Sequence, residues 1–450
     1  MCLLHRSSDA PVAIAVPKRH IAPKIGKSAL DGRNGIGGQD VAAAVGSGLL
    51  ARNERHSTVP NSKIMSIAGC LKPFPMRLRV NCAMHPCGGG RQEGRGYMNY
   101  VWRTALLALF MAGQLVDSVS AAEGTCLRGV NLAGAEFGPL PGTFGKDYIY
   151  PSVETVDYFA SKGFNTVRLP FLWERLQPSL FGDFAPDEVK RLHETVLYMR
   201  NKGISVILDP HNYARYQGQL IGSPDVPSGA FVDLWQRLAQ EFGQDPGVIF
   251  ALMNEPHDIS AVSWLGIAND AIAGIRTVST RNLVMVPGTA WTGAHSWSAD
   301  WYEGSNASVM AGVRDPANYF AYEFHQYFDE DFSGKKDSCL RSEEAVASIG
   351  KIANWLRANR AKGFLGEFGV TGDRSCIAAA AAMTEAVDAN RDVMIGWAYW
   401  AGGDWWPKEE ALNIQPVDGM DRPQLAGLSA ALARPMPSSK CNIPNRSFGR

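Results

Sequence analysis

The sequence predicts an α/β fold, a (β/α)8 TIM barrel. Three observations carry that prediction: strand-like apolar runs alternate with helical patterns after Ala121, there are eight such runs, and polar side chains capable of chemistry gather where the runs stop. Strict alternation implies a parallel sheet covered by helices, and eight units imply closure into a barrel rather than an open sheet. The chain has 450 residues, longer than an average domain, yet a barrel of about 250 residues or more occupies most of it.

Charge divides the chain before any element is assigned. The formal net charge is zero, but residues 1–97 carry 14 Lys+Arg against 5 Asp+Glu, whereas residues 122–450 carry 29 against 38. The opening segment is rich in Gly, Pro and Ser, lacks sustained periodicity and is assigned no fold; it is expected to be disordered or not translated. Residues 98–121 read as a secretory signal peptide: a short region with Arg103, the apolar run T-A-L-L-A-L-F-M-A-G, then small residues at Val119 and Ala121 where a signal peptidase cuts. The run is too short for a membrane span. A signal peptide belongs at the start of a protein, so Met98 is expected to be the initiator. The product is expected to be secreted after cleavage near Ala121, to have no stable membrane association and to be monomeric.

The barrel then fills residues 122–450. Its strands are expected at Leu127–Leu132, Thr166–Phe171, Ser205–His211, Val248–Glu255, Asn282–Gly288, Tyr319–Tyr327, Phe364–Val370 and Met394–Trp400. The fourth is the most telling, because V-I-F-A-L-M has no polar interruption and reads as a strand buried on both faces. Helical spacing of apolar residues marks Pro186–Lys202, Ser228–Phe242, Ser260–Val278, Glu343–Arg360 and Ile377–Asn390.

Chemistry in such barrels sits at the carboxyl ends of the strands. The fourth run ends in Asn254-Glu255-Pro256, and Pro256 biases Glu255 towards an extended backbone. The seventh, G-F-L-G-E-F-G-V, is broken by Glu367, with Gly366 and Gly369 leaving room around it. Two carboxylates on separate strand ends are what retaining glycoside hydrolysis needs, about 5–5.5 Å apart, one to protonate the leaving oxygen and one to attack the anomeric carbon. Glu255 and Glu367 are the candidate pair. Arg168, inside the second apolar run, needs a carboxylate partner, for which Glu367 is the obvious choice. His211 ends the third strand. Glu323, His325 and Tyr327 share one face of the sixth by period two, placing His325 near the acid and Tyr327 near the nucleophile, with Glu323 one pleat deeper.

Aromatic residues surround these positions. Trp400, Trp405 and Trp406 end the eighth strand, and indole faces stack on the axial C–H face of a pyranose. Tyr213, Trp291 and Trp297 extend the expected platform, as do Trp173, Tyr216, Trp264 and Trp301; Trp235 and Trp355 fall in helix patterns and read as packing residues.

Arg168, His211, Asn254-Glu255, His325, Tyr327, Glu367 and Trp400, in this order on successive strands, resemble glycoside hydrolase family 5. The runs A-G-A-E-F-G at 133–138, H-N-Y-A-R-Y at 211–216 and E-F-H-Q-Y-F-D at 323–329 look like its subfamily 5, the fungal-type endo-β-1,4-glucanases. The resemblance covers about Cys126 to Ala433. It implies that Glu255 is the acid/base, that Glu367 is the nucleophile, that Asn254 bonds the sugar 2-hydroxyl and that the peptide after Trp400 is cis. Glu136, within the first of those runs, is placed with the substrate-binding residues. The partner implied is a β-1,4-linked glucan.

The expected reaction is double displacement, with Arg168 and Tyr327 lowering the pKa of Glu367 and a less polar environment raising that of Glu255. A β-mannanase or xyloglucanase on the same scaffold differs in loops rather than catalytic residues, and a non-catalytic glycan-binding barrel would keep the Trp residues but lose a carboxylate. No cofactor or metal is expected, since the barrel lacks H-E-x-x-H and paired C-x-x-C signatures. No nucleic-acid partner is expected either, as the mature chain has no concentrated basic patch. Four cysteines follow the signal and allow three connectivities. Cys339 and Cys376 lie in adjacent loops on one barrel face, while Cys126 precedes the first strand and Cys441 follows the last helix, so the pairs expected are Cys339–Cys376 and Cys126–Cys441.

Overall fold

In the computed structural model the described residues are 123–437, Tyr302 excepted. The signal segment, residues 1–97 and Cys441 lie outside them. Eight parallel strands close the barrel: β1 (Leu127–Leu132), β2 (Thr166–Phe171), β3 (Ser205–Pro210), β4 (Val248–Ala251), β5 (Val284–Pro287), β6 (Phe320–His325), β7 (Gly363–Glu367) and β8 (Met394–Gly402). Each pairs with its neighbours in sequence, and β8 returns to β1, with Leu127 opposite Gly396 and Val130 opposite Tyr399. Helices α1 (Val153–Ser161), α2 (Pro186–Asn201), α3 (Ser228–Phe242), α4 (Ala261–Val278), α5 (Ser342–Ala358) and α6 (Arg374–Ala389) cover the outside.

Local chemistry explains their boundaries. Pro186 opens α2 where its missing N–H costs nothing. Ser260 caps α4 by accepting from Ser263 N at 3.1 Å. The fifth unit departs from the pattern, because between Pro287 and Phe320 the chain forms only short helical pieces, Ala290–Thr292, Asn306–Val309 and Met310–Gly312.

Strand alternation splits the core. Val206 and Leu208 pack outward with the helices, whereas Ile207 joins Leu127, Ile249, Met285, Ala321, Phe364 and Ile395 inside the barrel. Nearer the carboxyl ends the inward positions turn polar: Ile207 gives way to Asp209, and Ala321 to Glu323 and His325. The apolar plug below thus supports a polar layer above it.

Several strands stop earlier than the sequence suggests. The fourth ends at Ala251, not Glu255, because beyond it the chain keeps only single ladder bonds, Leu252 N to Met285 O at 3.0 Å and Asn254 N to Pro210 O at 2.9 Å. On β7 the register shifts, so that His325 pairs with Glu367 and Gly366 is skipped. A Cβ on Gly366 would lie 2.2 Å from Glu323 Oε1; only glycine lets that carboxylate approach.

The two ends of the described stretch meet on the opposite side of the barrel. Arg128 donates to the carbonyls of Thr125, Leu432, Arg434 and Pro435, and Gly124 N donates to Pro435 O at 3.2 Å. Cys339 and Cys376 are joined, with their Cα atoms 5.5 Å apart. Cys126 is also disulfide-bonded.

Candidate active site

Arg168 is the hub of the barrel mouth. Fully buried on β2, it donates from Nε to Glu323 Oε1 (2.8 Å), from Nη1 to Asn131 Oδ1 (3.1 Å) and Glu367 Oε1 (3.0 Å), and from Nη2 to Asn254 Oδ1 (3.0 Å). Nη1 also lies 2.9 Å from Asp209 Oδ2. The sequence assigned it one partner, Glu367; it has three carboxylates and two amides. A guanidinium is the one side chain whose fixed fork of donors can join so many strands.

Glu367 is held at both oxygens, since Oε2 accepts from the Tyr327 hydroxyl at 2.7 Å. His325 Nδ1 is 2.8 Å from Glu255 Oε1 and 3.5 Å from Glu367 Oε2, and its Nε2 is 3.4 Å from Glu323 Oε1. One atom from each of Glu255, His325 and Glu367 lies within 4.8 Å of the other two. These three could offer ligands to a cation, but Arg168 already occupies Glu367 and its charge opposes one. Glu255 keeps 17% of its side chain open to solvent, whereas Glu367 is enclosed.

Two expectations at this pair need correction. Pro256 does not hold Glu255 extended: its φ is 41°, in the left-handed region, as the chain turns off β4 over the barrel mouth. Nor is the Glu367 pKa lowered. Burial pushes it above the ordinary carboxylate value and the Glu255 charge adds to that, outweighing the pull of His325 and Arg168. The same carboxylates act in the opposite sense on His325; burial disfavours its charge, yet Glu367, Glu255 and Glu323 raise its pKa to about 10, so the ring is an imidazolium at neutral pH.

His211 bonds Asp209 Oδ2 through Nδ1 at 2.8 Å and faces Asn254 Nδ2 with Nε2 at 3.2 Å. Burial lowers its pKa, but Asp209 and the other carboxylates carry it above the usual value. Only the neutral ring can accept from Asn254, however, because protonation would set two donors face to face. Trp400 stacks on His211 with ring centres 5.4 Å apart and planes 15° from parallel, and the peptide after Trp400 is cis. Trp406 meets Trp400 edge-on at 5.6 Å and packs on Phe137, in the loop that carries Glu136. Glu136 Oε2 accepts from Gly134 N at 2.7 Å; Oε1 is buried without a partner among the described residues, and burial raises the pKa to about 7.

The predicted aromatic platform divides. Tyr213 (37% exposed), Trp291 (42%), Trp301 (40%) and Trp405 (37%) are open to solvent, and Trp291 stacks on His257 at 4.8 Å from a turn in which Ala290, Trp291 and Thr292 all have positive φ. Trp297 is not a surface platform. It is 1% exposed and packs among Phe324 (4.7 Å), Trp355 (5.2 Å) and Tyr322 (6.1 Å), because the irregular fifth unit folds back over the barrel in place of a helix. Trp173, Tyr216 and Trp264 are likewise buried. Asn131 and the anchoring role of Asp209 escaped the sequence reading; the available signal was a polar residue at an inward position of an otherwise apolar strand.

Comparisons with known proteins agree with this geometry. A family model described as Cellulase (glycosyl hydrolase family 5) matches residues 121–403. Endo-beta-1,4-glucanase B of Emericella nidulans is 35% identical over 295 residues, covering 65% of this chain and 87% of that protein. Among solved structures, an endo-beta-1,4-glucanase from Xanthomonas axonopodis pv. citri is 42% identical, with 71% of this chain and 100% of that one covered and a TM-score of 0.67. Endoglucanase Cel5A of Pseudomonas stutzeri, solved with cellobiose, is 35% identical with a TM-score of 0.63, covering 72% of this chain and 98% of that one.

Proposed function

We propose that this chain, which belongs to glycosyl hydrolase family 5, is an endo-β-1,4-glucanase that cuts internal bonds of cellulose or related β-glucans with retention of configuration. The observation that carries the reading is the pair Glu255 and Glu367, with carboxylate oxygens within 4.8 Å of each other at the barrel mouth. That spacing suits direct attack and leaves no room for the intervening water of an inverting enzyme.

Glu367 attacks the anomeric carbon while Glu255 protonates the departing oxygen; Glu255 then takes a proton from water, which hydrolyses the glycosyl-enzyme. The reaction needs the proton on Glu255 and the charge on Glu367, whose two oxygens face the donors Arg168 and Tyr327. Glu255 faces solvent and can exchange its proton, as an acid that becomes a base must. His325 donates to Glu255 and orients it. Asn254 takes the sugar 2-hydroxyl, Trp400 supplies the stacking floor, and Tyr213, Trp291, Trp405, Trp406 and Glu136 extend the cleft. No step calls for a metal or cofactor.

The chain acts as a monomer outside the cell on this reading. Among the described residues no helix is long and apolar enough to cross a membrane. The decisive experiment is product analysis on carboxymethylcellulose, lichenan, mannan and xyloglucan side by side. Rapid loss of viscosity on the first two with short oligosaccharides appearing late is the expected result. Preference for mannan or xyloglucan would move the activity to the corresponding relative on the same scaffold.

A further inference from the structure

Asp209 is a buried carboxylate that the mechanism above leaves without a task. It sits on β3 with no exposure, and its Oδ2 takes both Arg168 Nη1 at 2.9 Å and His211 Nδ1 at 2.8 Å, while Oδ1 is buried without a partner among the described residues. Burial opposes its charge, but Arg168 and His211 hold its pKa below the ordinary value, so it stays ionised.

What that oxygen decides can be traced through two side chains. Asn254 Oδ1 faces Arg168 Nη2, and a guanidinium only donates; the amide nitrogen therefore faces His211 Nε2. Nε2 must accept, so the ring proton is on Nδ1, directed at Asp209. The other tautomer would oppose two donors at Asn254 and leave Asp209 facing a lone pair. Stacking on Trp400 fixes the plane of the ring but is indifferent to which nitrogen bears the proton.

We infer that Asp209 is a positioning residue for the glycosidase reaction: it keeps His211 in the Nδ1–H tautomer, whose Nε2 accepts from the Asn254 amide and, together with Arg168 on the amide oxygen, holds that amide's rotation, so that the second Nδ2 hydrogen is presented to the 2-hydroxyl of the sugar under attack. That hydrogen has no partner among the described residues. The inference rests on the retaining-glucanase reading and deepens it.

The test compares Asp209→Ala and Asp209→Asn in the full chain on an aryl β-cellobioside and on its analogue lacking the 2-hydroxyl of the attacked ring, with 15N NMR of the His211 ring. The analogue subtracts any loss that acts through Arg168 and Glu367. Asp209→Ala should cut the wild-type preference for the 2-hydroxyl substrate by about tenfold, the worth of one well-placed hydrogen bond, and release the ring from its Nδ1–H tautomer. Asp209→Asn, whose carbonyl can still accept from both donors, should keep the tautomer and most of the preference. Equal slowing of both substrates by Asp209→Ala would overturn the inference, as would loss of the preference in Asp209→Asn. Should the alanine variant not fold, the asparagine variant and the wild-type ring decide: a wild-type His211 protonated on Nε2 is refuting by itself. A wild type inactive on both substrates would instead refute the glucanase reading and leave the tautomer measurement standing.

Discussion

Tyr327→Phe deletes one hydroxyl, and the structure says what that hydroxyl is worth. It donates to Glu367 Oε2 at 2.7 Å, one of the two hydrogen bonds on that carboxylate's oxygens, the other coming from Arg168. Both partners are buried, so water cannot replace it. The phenyl ring should stay in place, because it packs against Gly334 so closely that a Cβ there would lie 2.6 Å from it. A buried hydrogen bond to a charged group contributes about 1.5–3 kcal/mol, which converts to a loss of about 10- to 150-fold in kcat/KM. The pH profile carries the sign. On the proposed mechanism Glu367 must be ionised to attack, and burial already holds its pKa above the usual value. Removing a donor to the charged form raises it further, so the acid limb of kcat/KM on an aryl cellobioside should move to higher pH. Stability follows the same sign. A carboxyl whose folded pKa exceeds its unfolded one gives its stabilising contribution at low pH and loses it as pH rises through the folded value, so the Tm gap between variant and wild type should widen towards alkaline pH. An acid limb that stays put, or moves down, would show that Tyr327 does not hold the ionised form of Glu367.

Glu367→Gly should be inactive on activated glycosides until azide is added and then yield a glycosyl azide of inverted configuration; Glu255→Ala should give the retained azide and lose least on good leaving groups. NMR detection of inverted sugar from the wild type would remove the retaining assignment. Trp297→Ala should destabilise the fold by about 3–5 kcal/mol in denaturant melts with KM unchanged in the folded fraction, whereas Trp291→Ala should leave stability near wild type and raise KM on polymer. Mass spectrometry of secreted protein should find Ala122 as the first residue; a mature chain retaining residues 1–97 would contradict the internal signal peptide. Peptide mapping should join Cys126 to Cys441, and replacing both by Ser should lower Tm, typically by the equivalent of about 2–4 kcal/mol, with kcat unaffected.

The sequence by itself determined the barrel and the pair of carboxylates, Glu255 and Glu367, at its mouth, because both are written in local patterns. Apolar runs at strand period, helical spacing between them and single carboxylates where runs stop need no knowledge of distant contacts. Helix α3 begins and ends where its periodicity does, at Ser228 and Phe242. His325 and Tyr327 could be put on one face from the twofold alternation of a strand. What the tertiary structure decided depends on residues far apart in sequence. Whether Trp297 lines a cleft or fills the core turns on how the irregular segment between Pro287 and Phe320 folds over Phe324 and Trp355. Arg168 looked like the partner of one acid and is the junction of five side chains from β1, β3, β6, β7 and the segment after β4, which only barrel closure brings within 3.1 Å of it. The direction of the Glu367 pKa was likewise out of reach, because a charged neighbour can be guessed from sequence but the loss of solvent that outweighs it exists only once the barrel has closed.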